Sequence, residues 1–111
     1  MEATFGVVLI TCPPEKAETI ARVLLEKRAA ASVNMVPSVS SLYWWKKKID
    51  SSNETLLVAK TRIDAFEELK KVVKATHPYE VPQIVLLPIV TGNRDYLDWI
   101  DKETEHSSEE H

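Results

Sequence analysis

The chain has 111 residues with a formal net charge of −3, and 44% of its residues are hydrophobic while 28% are charged. This is the length and composition of one globular domain, so we expect a single domain over residues 1–104 and a polar tail over residues 105–111. The negative charge disfavours nucleic acid as a partner, and no apolar run approaches the roughly 18 residues that a membrane span requires.

The first two predicted elements are a buried strand and an amphipathic helix. Residues 5–11 form a short run of mostly apolar residues, which is typical of a strand with both faces covered. From Glu15 the apolar period changes to that of a helix, and Lys27 with Arg28 supplies the cations that favour a helix end. The predicted buried positions of this helix are Ala17, Ile20, Ala21 and Leu24.

A long extended segment follows the first helix. Residues 29–48 are rich in β-forming residues and lack glycine, so we expect extended chain that is interrupted at Pro37. Residues 50–53, Asp-Ser-Ser-Asn, are typical of a turn, and residues 54–61 predict the returning strand. At about 3.3 Å per residue the first arm would span roughly 60 Å, so it must bend or reach beyond its own domain.

A second helix and a further strand follow in the other half of the chain. Asp64 is predicted to begin the helix, with Glu67 in the D-x-x-E spacing of a capping box. Residues 83–90 predict a buried strand, in which Pro88 requires an edge position or a bulge.

A short third helix is expected over residues 94–104, with Asn93 as its N-cap. The complete order is then β-α-β-β-α-β with a terminal helix, which indicates an α+β fold of the ferredoxin-like type. In that plan two helices cover one face of a four-stranded sheet, yet the first and last strands are apolar at consecutive positions. Something else must cover the open face, and we expect a homo-oligomer in which the long hairpin pairs with a neighbouring copy.

Two adjacent tryptophans, Trp44 and Trp45, lie in the long hairpin. Adjacent residues of a strand point to opposite faces of the sheet, so both rings cannot join the core of one subunit. Two interpretations remain open. In one, a single ring is in the core and the other lies at a subunit interface; in the other, the rings form an aromatic wall of a cleft between subunits. The three lysines at 46–48 are interpreted as a solvated strand end.

The segment THPYEVPQ contains the histidine of most functional interest. Pro78 pushes His77 out of helical geometry, so in the simplest interpretation His77 interacts with the free carbonyls of a helix end. Cys12 is the only soft ligand, and strand ends and helix ends share one edge of this fold, so Cys12 and His77 are the candidate metal pair. His106 and His111, with nearby glutamates, belong to a tail that offers no preorganised site.

Signatures of enzymes are absent from the sequence. The chain has only two glycines, so neither a P-loop nor a Rossmann loop can form, and G-x-S-x-G, H-E-x-x-H and C-x-x-C do not occur. The aromatic stripe of RNA-binding domains is also missing. We therefore predict that the protein is not an enzyme. The single cysteine and the lack of a signal-peptide pattern at Met1 predict a cytoplasmic protein.

Five segments occur together in a characteristic order and spacing. They are EKRAAASVN (26–34), SLYWW (41–45) followed by Lys48, LVAKT (57–61), HPYEVP (77–82) and DYLDWI (95–100). Over the range from Val7 to Thr104 the chain closely resembles the CutA1 family, the divalent-ion tolerance proteins. The resemblance implies a ferredoxin-like subunit in a PII-like homotrimer, with the sheets packed inside and the hairpin strands hydrogen-bonded between neighbours.

The resemblance also implies a function. Family members are associated with tolerance to divalent metals, and some are described as copper binders through a histidine of the H-P segment and a thiol of the first strand. By position His77 matches that histidine, whereas Ile10 occupies the thiol position and Cys12 lies two residues later. Cys12 and His77 are accordingly the ligands that the resemblance implies for copper or another divalent cation. Lys47 stands where the family usually has glycine.

An intersubunit cleft is the second implication of the resemblance. In this chain the cleft would be lined by Tyr43, Trp45, Glu54, Lys60, His77 and Tyr79. A lysine among aromatic side chains suits a small anion as well as a metal. Two functions follow: a cytosolic trimer that binds divalent metal and contributes to metal tolerance, or a PII-like sensor that takes a small anionic metabolite in the cleft.

Overall fold

Four strands and three α-helices make up the fold in a computed structural model that describes residues 3–105. The strands are β1 (Phe5–Cys12), β2 (Ser32–Trp45), β3 (Lys48–Arg62) and β4 (Ile84–Pro88), and the helices are α1 (Ala17–Glu26), α2 (Phe66–Thr76) and α3 (Arg94–Glu103). Short 3₁₀ turns at Pro14–Lys16 and Ile63–Ala65 lead into α1 and α2. The α+β class and the predicted order of elements are confirmed. His106 and His111 lie outside the described residues.

The four strands form one antiparallel sheet in the order β2-β3-β1-β4. β1 and β3 are the central strands, and at the middle of β1 Val8 pairs with Ala59 on one side and with Leu86 on the other. β4 is an edge strand, as Pro88 requires, because a proline has no N–H to donate to a further strand.

One face of the sheet is covered by α1 and α2. The four positions predicted for the buried side of α1 are all buried, and in α2 Leu69 and Val73 are fully enclosed. Val8, Ile10 and Leu57 meet them from the sheet. Complete burial of one such side chain contributes about 1.5–3 kcal/mol, so this layer is the main source of stability in the protomer.

The turn between β2 and β3 lies at Lys46 and Lys47, not at residues 50–53 as the sequence predicted. Both lysines have positive φ, 51° and 69°, and Trp45 pairs directly with Lys48. This is a two-residue hairpin turn whose backbone twist matches that of the flanking strands. Residues 50–53 continue β3, because long-range pairing with β2 outweighs the local turn preference of Ser and Asn.

Pro37 does interrupt β2, but as a bulge within a continuous strand. Between Val36 and Val39 the strand contains one residue more than β3, and Ser38 in the bulge has a φ of 63°. The extra residue changes the direction of the arm without ending the pairing.

The capping box predicted at the start of the second helix is wrong. α2 begins at Phe66, and no side chain caps its N-terminus. Asp64 lies in the preceding 3₁₀ turn, with its carboxylate 3.6 Å from the guanidinium of Arg62. The turn places Asp64 outside the N-cap position, so its distance from Glu67 along the helix no longer suits a box.

The third helix covers one end of the second face of the sheet. Asn93 caps it as predicted, since its side chain accepts a hydrogen bond from the N–H of Asp95 at 3.1 Å. Leu97 and Ile100 pack on Phe5, which shares the face of Val7 because residues two apart in a strand point the same way.

The remainder of that face is apolar and has no covering element within residues 3–105. We call it the open face, and its apolar members are Val7, Leu9, Val36, Leu56, Val58, Val85 and Leu87. Val85 is 45% exposed and Leu87 is 52% exposed. Soluble monomers rarely leave a contiguous apolar surface of this kind in water.

The arm formed by β2 and β3 projects beyond the body of the protomer. The radius of gyration is 14.8 Å, compared with about 13 Å for a compact chain of this length. Leu42 is 77% exposed and Trp44 is 71% exposed on this arm. Among residues 3–105, no helix has the length and apolar character needed to cross a membrane.

Candidate functional site

Four of the predicted site residues lie together at one end of the sheet. They are Cys12, Glu54, His77 and Tyr79, and we call them the end cluster. Cys12 is the last residue of β1 and pairs with Thr55 of β3, so that Glu54 is the next residue along that strand. α2 ends at Thr76, and the loop that follows carries His77 and Tyr79 back to the same end of the sheet.

The imidazole of His77 joins this loop to β1. Its Nε2 lies 2.7 Å from the carbonyl oxygen of Thr11, and its Nδ1 accepts a hydrogen bond from the backbone N–H of Tyr79 at 3.1 Å. A carbonyl can only accept, so Nε2 carries the proton and the ring is the neutral tautomer. The sequence predicted that His77 interacts with free carbonyls at the helix end. Its backbone N–H does so, donating to the carbonyl oxygen of Val73 at 2.8 Å, whereas the ring contacts Thr11.

Glu54 and Tyr79 form the second link of the end cluster. The phenol of Tyr79 donates a hydrogen bond to a carboxylate oxygen of Glu54 at 3.0 Å. Glu54 is only 5% exposed, so this hydrogen bond supplies part of the solvation that burial removes. Burial and the bond to Glu54 raise the pKa of Tyr79 to about 12, and the phenol therefore stays protonated at neutral pH.

Cys12 is the third group, and it is fully buried. Its thiol points toward the carbonyl oxygen of Thr55 at 3.9 Å. Burial raises the pKa of the Cys12 thiol to about 11, with further contributions from the negative charges of Glu54 and Glu15. The thiol is therefore neutral at physiological pH and is a weak nucleophile in this state.

The end cluster fits a divalent metal by donor type. A thiol, an imidazole and a carboxylate are together the ligands that copper and zinc take in proteins. The arrangement is not preorganised, since both nitrogens of His77 already have hydrogen-bond partners. Within residues 3–105, no group of three or more His, Cys, Asp and Glu side chains is arranged to hold a metal ion. A metal would thus need His77 to exchange one hydrogen bond and Cys12 to lose its proton.

Lys60 lies apart from the end cluster. It is six residues from Glu54 along β3, a separation of about 20 Å in an extended strand. Its ammonium group donates to the side-chain oxygen of Asn34 and to the carbonyl oxygen of Val58, the latter at 3.1 Å. Burial lowers the pKa of Lys60. One protomer therefore does not bring Lys60 and the end cluster into a single site.

Tyr43 and Trp45 lie on the projecting arm, where they are 40% and 41% exposed. Tyr43 pairs with Asp50, which is four residues from Glu54 along β3. Trp44, the neighbour of Trp45, is still more exposed. The interpretation that one of the two tryptophans joins the core of the subunit is therefore wrong for the protomer.

Two partners in these contacts were missed by sequence reasoning. The carbonyl of Thr11 has no sequence signal, because every residue has a carbonyl and only the fold selects this one. Asn34 did have a sequence signal. It is a polar residue between the apolar Val33 and Met35, at the end of the segment EKRAAASVN that contributes to the family resemblance. Its contact with Lys60 depends on the β2–β3 register.

Known proteins resemble the chain over most of its length. The family model described as CutA1 divalent ion tolerance protein matches residues 6–103. The divalent-cation tolerance protein CutA of Thermus thermophilus is 54% identical over 99 residues, which cover 88% of this chain and 96% of that protein. Protein CutA of Mus musculus is 44% identical over 100 residues, which cover 89% of this chain and 56% of the mouse protein.

Solved structures agree with the sequence comparisons. The divalent cation tolerance protein from Thermus thermophilus is 54% identical and superposes with a TM-score of 0.85, covering 86% of this chain and 94% of that one. A CutA from Archaeoglobus fulgidus, described as a periplasmic divalent cation tolerance protein, is 43% identical with a TM-score of 0.88, covering 91% of this chain and 99% of that one. These names describe tolerance to divalent cations and mention no enzymatic activity. On this match over nearly the whole described chain, the protein belongs to the CutA1 family of divalent ion tolerance proteins.

Proposed function

We propose that the protein is a cytosolic homotrimer that contributes to divalent-cation tolerance by binding a divalent metal, copper by preference. The observation that supports the metal proposal is that Cys12, Glu54 and His77 all lie at the same end of the sheet. These are the only thiol of the chain, a buried carboxylate and a buried imidazole.

The trimer proposal is supported by the open face and the projecting arm. An apolar sheet face and an arm that exposes tryptophan and leucine are both stabilised when another copy covers them. A ferredoxin-like subunit in a PII-like trimer, with the sheets facing inward, covers the open face and provides the arm with a neighbour. In that assembly Tyr43 and Trp45 line a cleft between subunits.

The end cluster would hold the metal after a local rearrangement. His77 would supply a ring nitrogen once it releases Thr11 or Tyr79, and Cys12 would supply its sulfur as a thiolate. A bound cation stabilises the thiolate, so metal binding releases a proton and strengthens as the pH rises. Glu54 would then contribute an oxygen or neutralise charge beside the ion.

Titration calorimetry with Cu²⁺ and with Zn²⁺ tests the metal site. The titrations use a background in which His106→Ala and His111→Ala remove the tail histidines as chelators. We expect His77→Ala and Cys12→Ala each to weaken binding by at least tenfold, because each removes one ligand. Glu68→Ala, an exposed acid on α2, is the matched control and should bind as the background does. Equal affinity in all variants would remove the end cluster as the site.

A PII-like sensor is the second candidate function, and Lys60 is the observation that favours it. The ammonium group lies on the open face and forms no ion pair within residues 3–105. Covering the open face with other subunits leaves this cation in need of a negative partner. In this alternative the trimer binds a small anionic metabolite between subunits, and the effect on metal tolerance is indirect.

A further inference from the structure

We propose that Ser32, Asn34, Lys60 and Tyr96 form a binding site for a small oxyanion, a phosphate or carboxylate group, on the open face. This site is separate from the end cluster. It deepens the second candidate function, on which it rests, by naming the residues and the chemical class of the ligand.

The β2–β3 register brings the first three residues together. Ser32 pairs directly with Lys60, and Asn34 is two residues further along the same face of β2. The ammonium group donates to the side-chain oxygen of Asn34 and to the carbonyl oxygen of Val58. An ammonium group has three N–H donors, so one remains for a ligand.

Two hydroxyl groups extend the site toward α3. The hydroxyl of Tyr96 lies 3.4 Å from that of Ser32, so at most one of their two protons is used between them. The amide oxygen of Asn34 is engaged by Lys60, which leaves the NH₂ group of Asn34 as a further donor. The site therefore offers an ammonium, an amide and a hydroxyl as donors, with no carboxylate among its members.

The side chains around Lys60 favour an anion over water as the partner of its ammonium group. Lys60 pairs with Val7 on its other side, and Val58 lies two residues away on the same face, so apolar side chains adjoin the ammonium group on two sides. Arg62, two residues away in the other direction, already has Asp64 and Asp101 as partners. A cation loses hydration when such a surface is covered, and a charged hydrogen-bond acceptor compensates best. Phosphate and carboxylate groups both meet this requirement.

The experiment measures binding of inorganic phosphate and of acetate to the full-length protein by titration calorimetry, with melting temperatures recorded in parallel. Lys60→Met removes the charge while keeping the chain length of the side chain, and we expect at least a tenfold loss of affinity. Asn34→Asp places a carboxylate beside Lys60, so it should also abolish binding while the variant remains folded. Lys71→Met, on the exposed side of α2, is the control and should bind as the wild type does.

The outcomes separate this site from the trimer proposal when size-exclusion chromatography with light scattering is run on the same samples. Binding of either probe supports the site if the binding depends on Lys60 and Asn34. A monomeric chain that still binds in this way would contradict the trimer proposal but not the anion site. Absence of binding to the wild type, or equal binding by all variants, overturns it. A third result also overturns the anion site: Lys60→Met dissociates the oligomer, and the wild type binds neither probe. In that case the lysine pairs with a carboxylate of another copy.

Discussion

His77 has a structural role that does not depend on any metal. Its two ring nitrogens connect Thr11 at the end of β1 with Tyr79 in the loop after α2, across 66 residues of sequence. The same connection places Cys12 and Glu54 beside the loop. A metal that takes His77 as a ligand therefore also changes how the loop is held, which couples binding to a local change of conformation.

The buried thiol of Cys12 predicts how stability depends on alkaline pH. The pKa of Cys12 is about 11 in the folded protein and 9.0 for an unperturbed thiol, so between these values the unfolded chain loses its proton first. Protons then bind more strongly to the folded state, and the free energy of unfolding falls as the pH rises from about 9 to 11. Below pH 9 both states hold the proton, and this contribution is constant.

Chemical denaturation at pH 8, 9, 10 and 11 measures this dependence. We expect Cys12→Ala to lose less stability than the wild type over that range, because the titrating thiol is absent. Tyr79 is more exposed and its pKa is raised as well, so Tyr79→Phe serves as a comparison that removes the phenol but leaves the thiol. A wild type and a Cys12→Ala variant with the same pH profile would contradict the assignment.

At the scale of elements, the β2–β3 hairpin contains the clearest local strain. Lys46 and Lys47 both have positive φ, a region that costs a residue with a Cβ about 1–2 kcal/mol and glycine almost nothing. The strained turn persists because β2 and β3 are paired from Ser32 to Trp45, and this pairing leaves only two residues for the turn. The charged side chains keep the tip of the arm solvated.

Lys47→Gly is therefore expected to raise the free energy of unfolding by about 1 kcal/mol, since glycine adopts the φ of 69° without strain. Lys48→Gly is the matched control. Residue 48 is extended and paired with Trp45, so glycine there should be neutral or destabilising. Urea denaturation of the two variants and the wild type provides the comparison. Stabilisation of both variants alike would point to the loss of lysine charge instead of the turn geometry.

For the whole molecule, the open face is the feature that one protomer leaves unsatisfied. α3 covers only the end near Phe5, and the strands beyond it present valine and leucine. The projecting arm is the other such feature, because its tip is far from the core of its own subunit. Association with further copies of the chain, as proposed above, would cover both features.

Val85→Asp tests this association on the open face, where Val85 pairs with Leu9 and lies two strands away from Lys60. By light scattering we expect the wild type to have the mass of three 12.6 kDa chains, and the variant to have the mass of one, because a buried unpaired carboxylate opposes assembly. Leu25→Asp on α1 makes a comparable change away from the open face and should leave the mass unchanged. Circular dichroism checks that both variants are folded. A wild type with the mass of a single chain would refute the trimer.

Short-range sequence patterns correctly predicted features that depend on neighbouring residues, such as the buried side of a helix and its N-cap. The buried side of α1, the N-cap at Asn93 and the edge position required by Pro88 each follow from short-range chemistry, and each is confirmed. The turn assigned to residues 50–53 and the box at Asp64 also rested on short-range chemistry, and both were wrong. In the first case pairing across the hairpin decided the outcome, and in the second a 3₁₀ turn shifted the helix start.

The sequence by itself determined which chemical groups the protein has, namely one thiol, a histidine before a proline and a lysine in a strand. Its characteristic segments also identified the family. Only the tertiary structure decided which of these groups meet. It joined His77 to a backbone carbonyl of Thr11 and separated Lys60 from Glu54 along β3. The physical reason is that strand register and the path of a loop arise from contacts between distant segments, whereas propensity and spacing report only on neighbours.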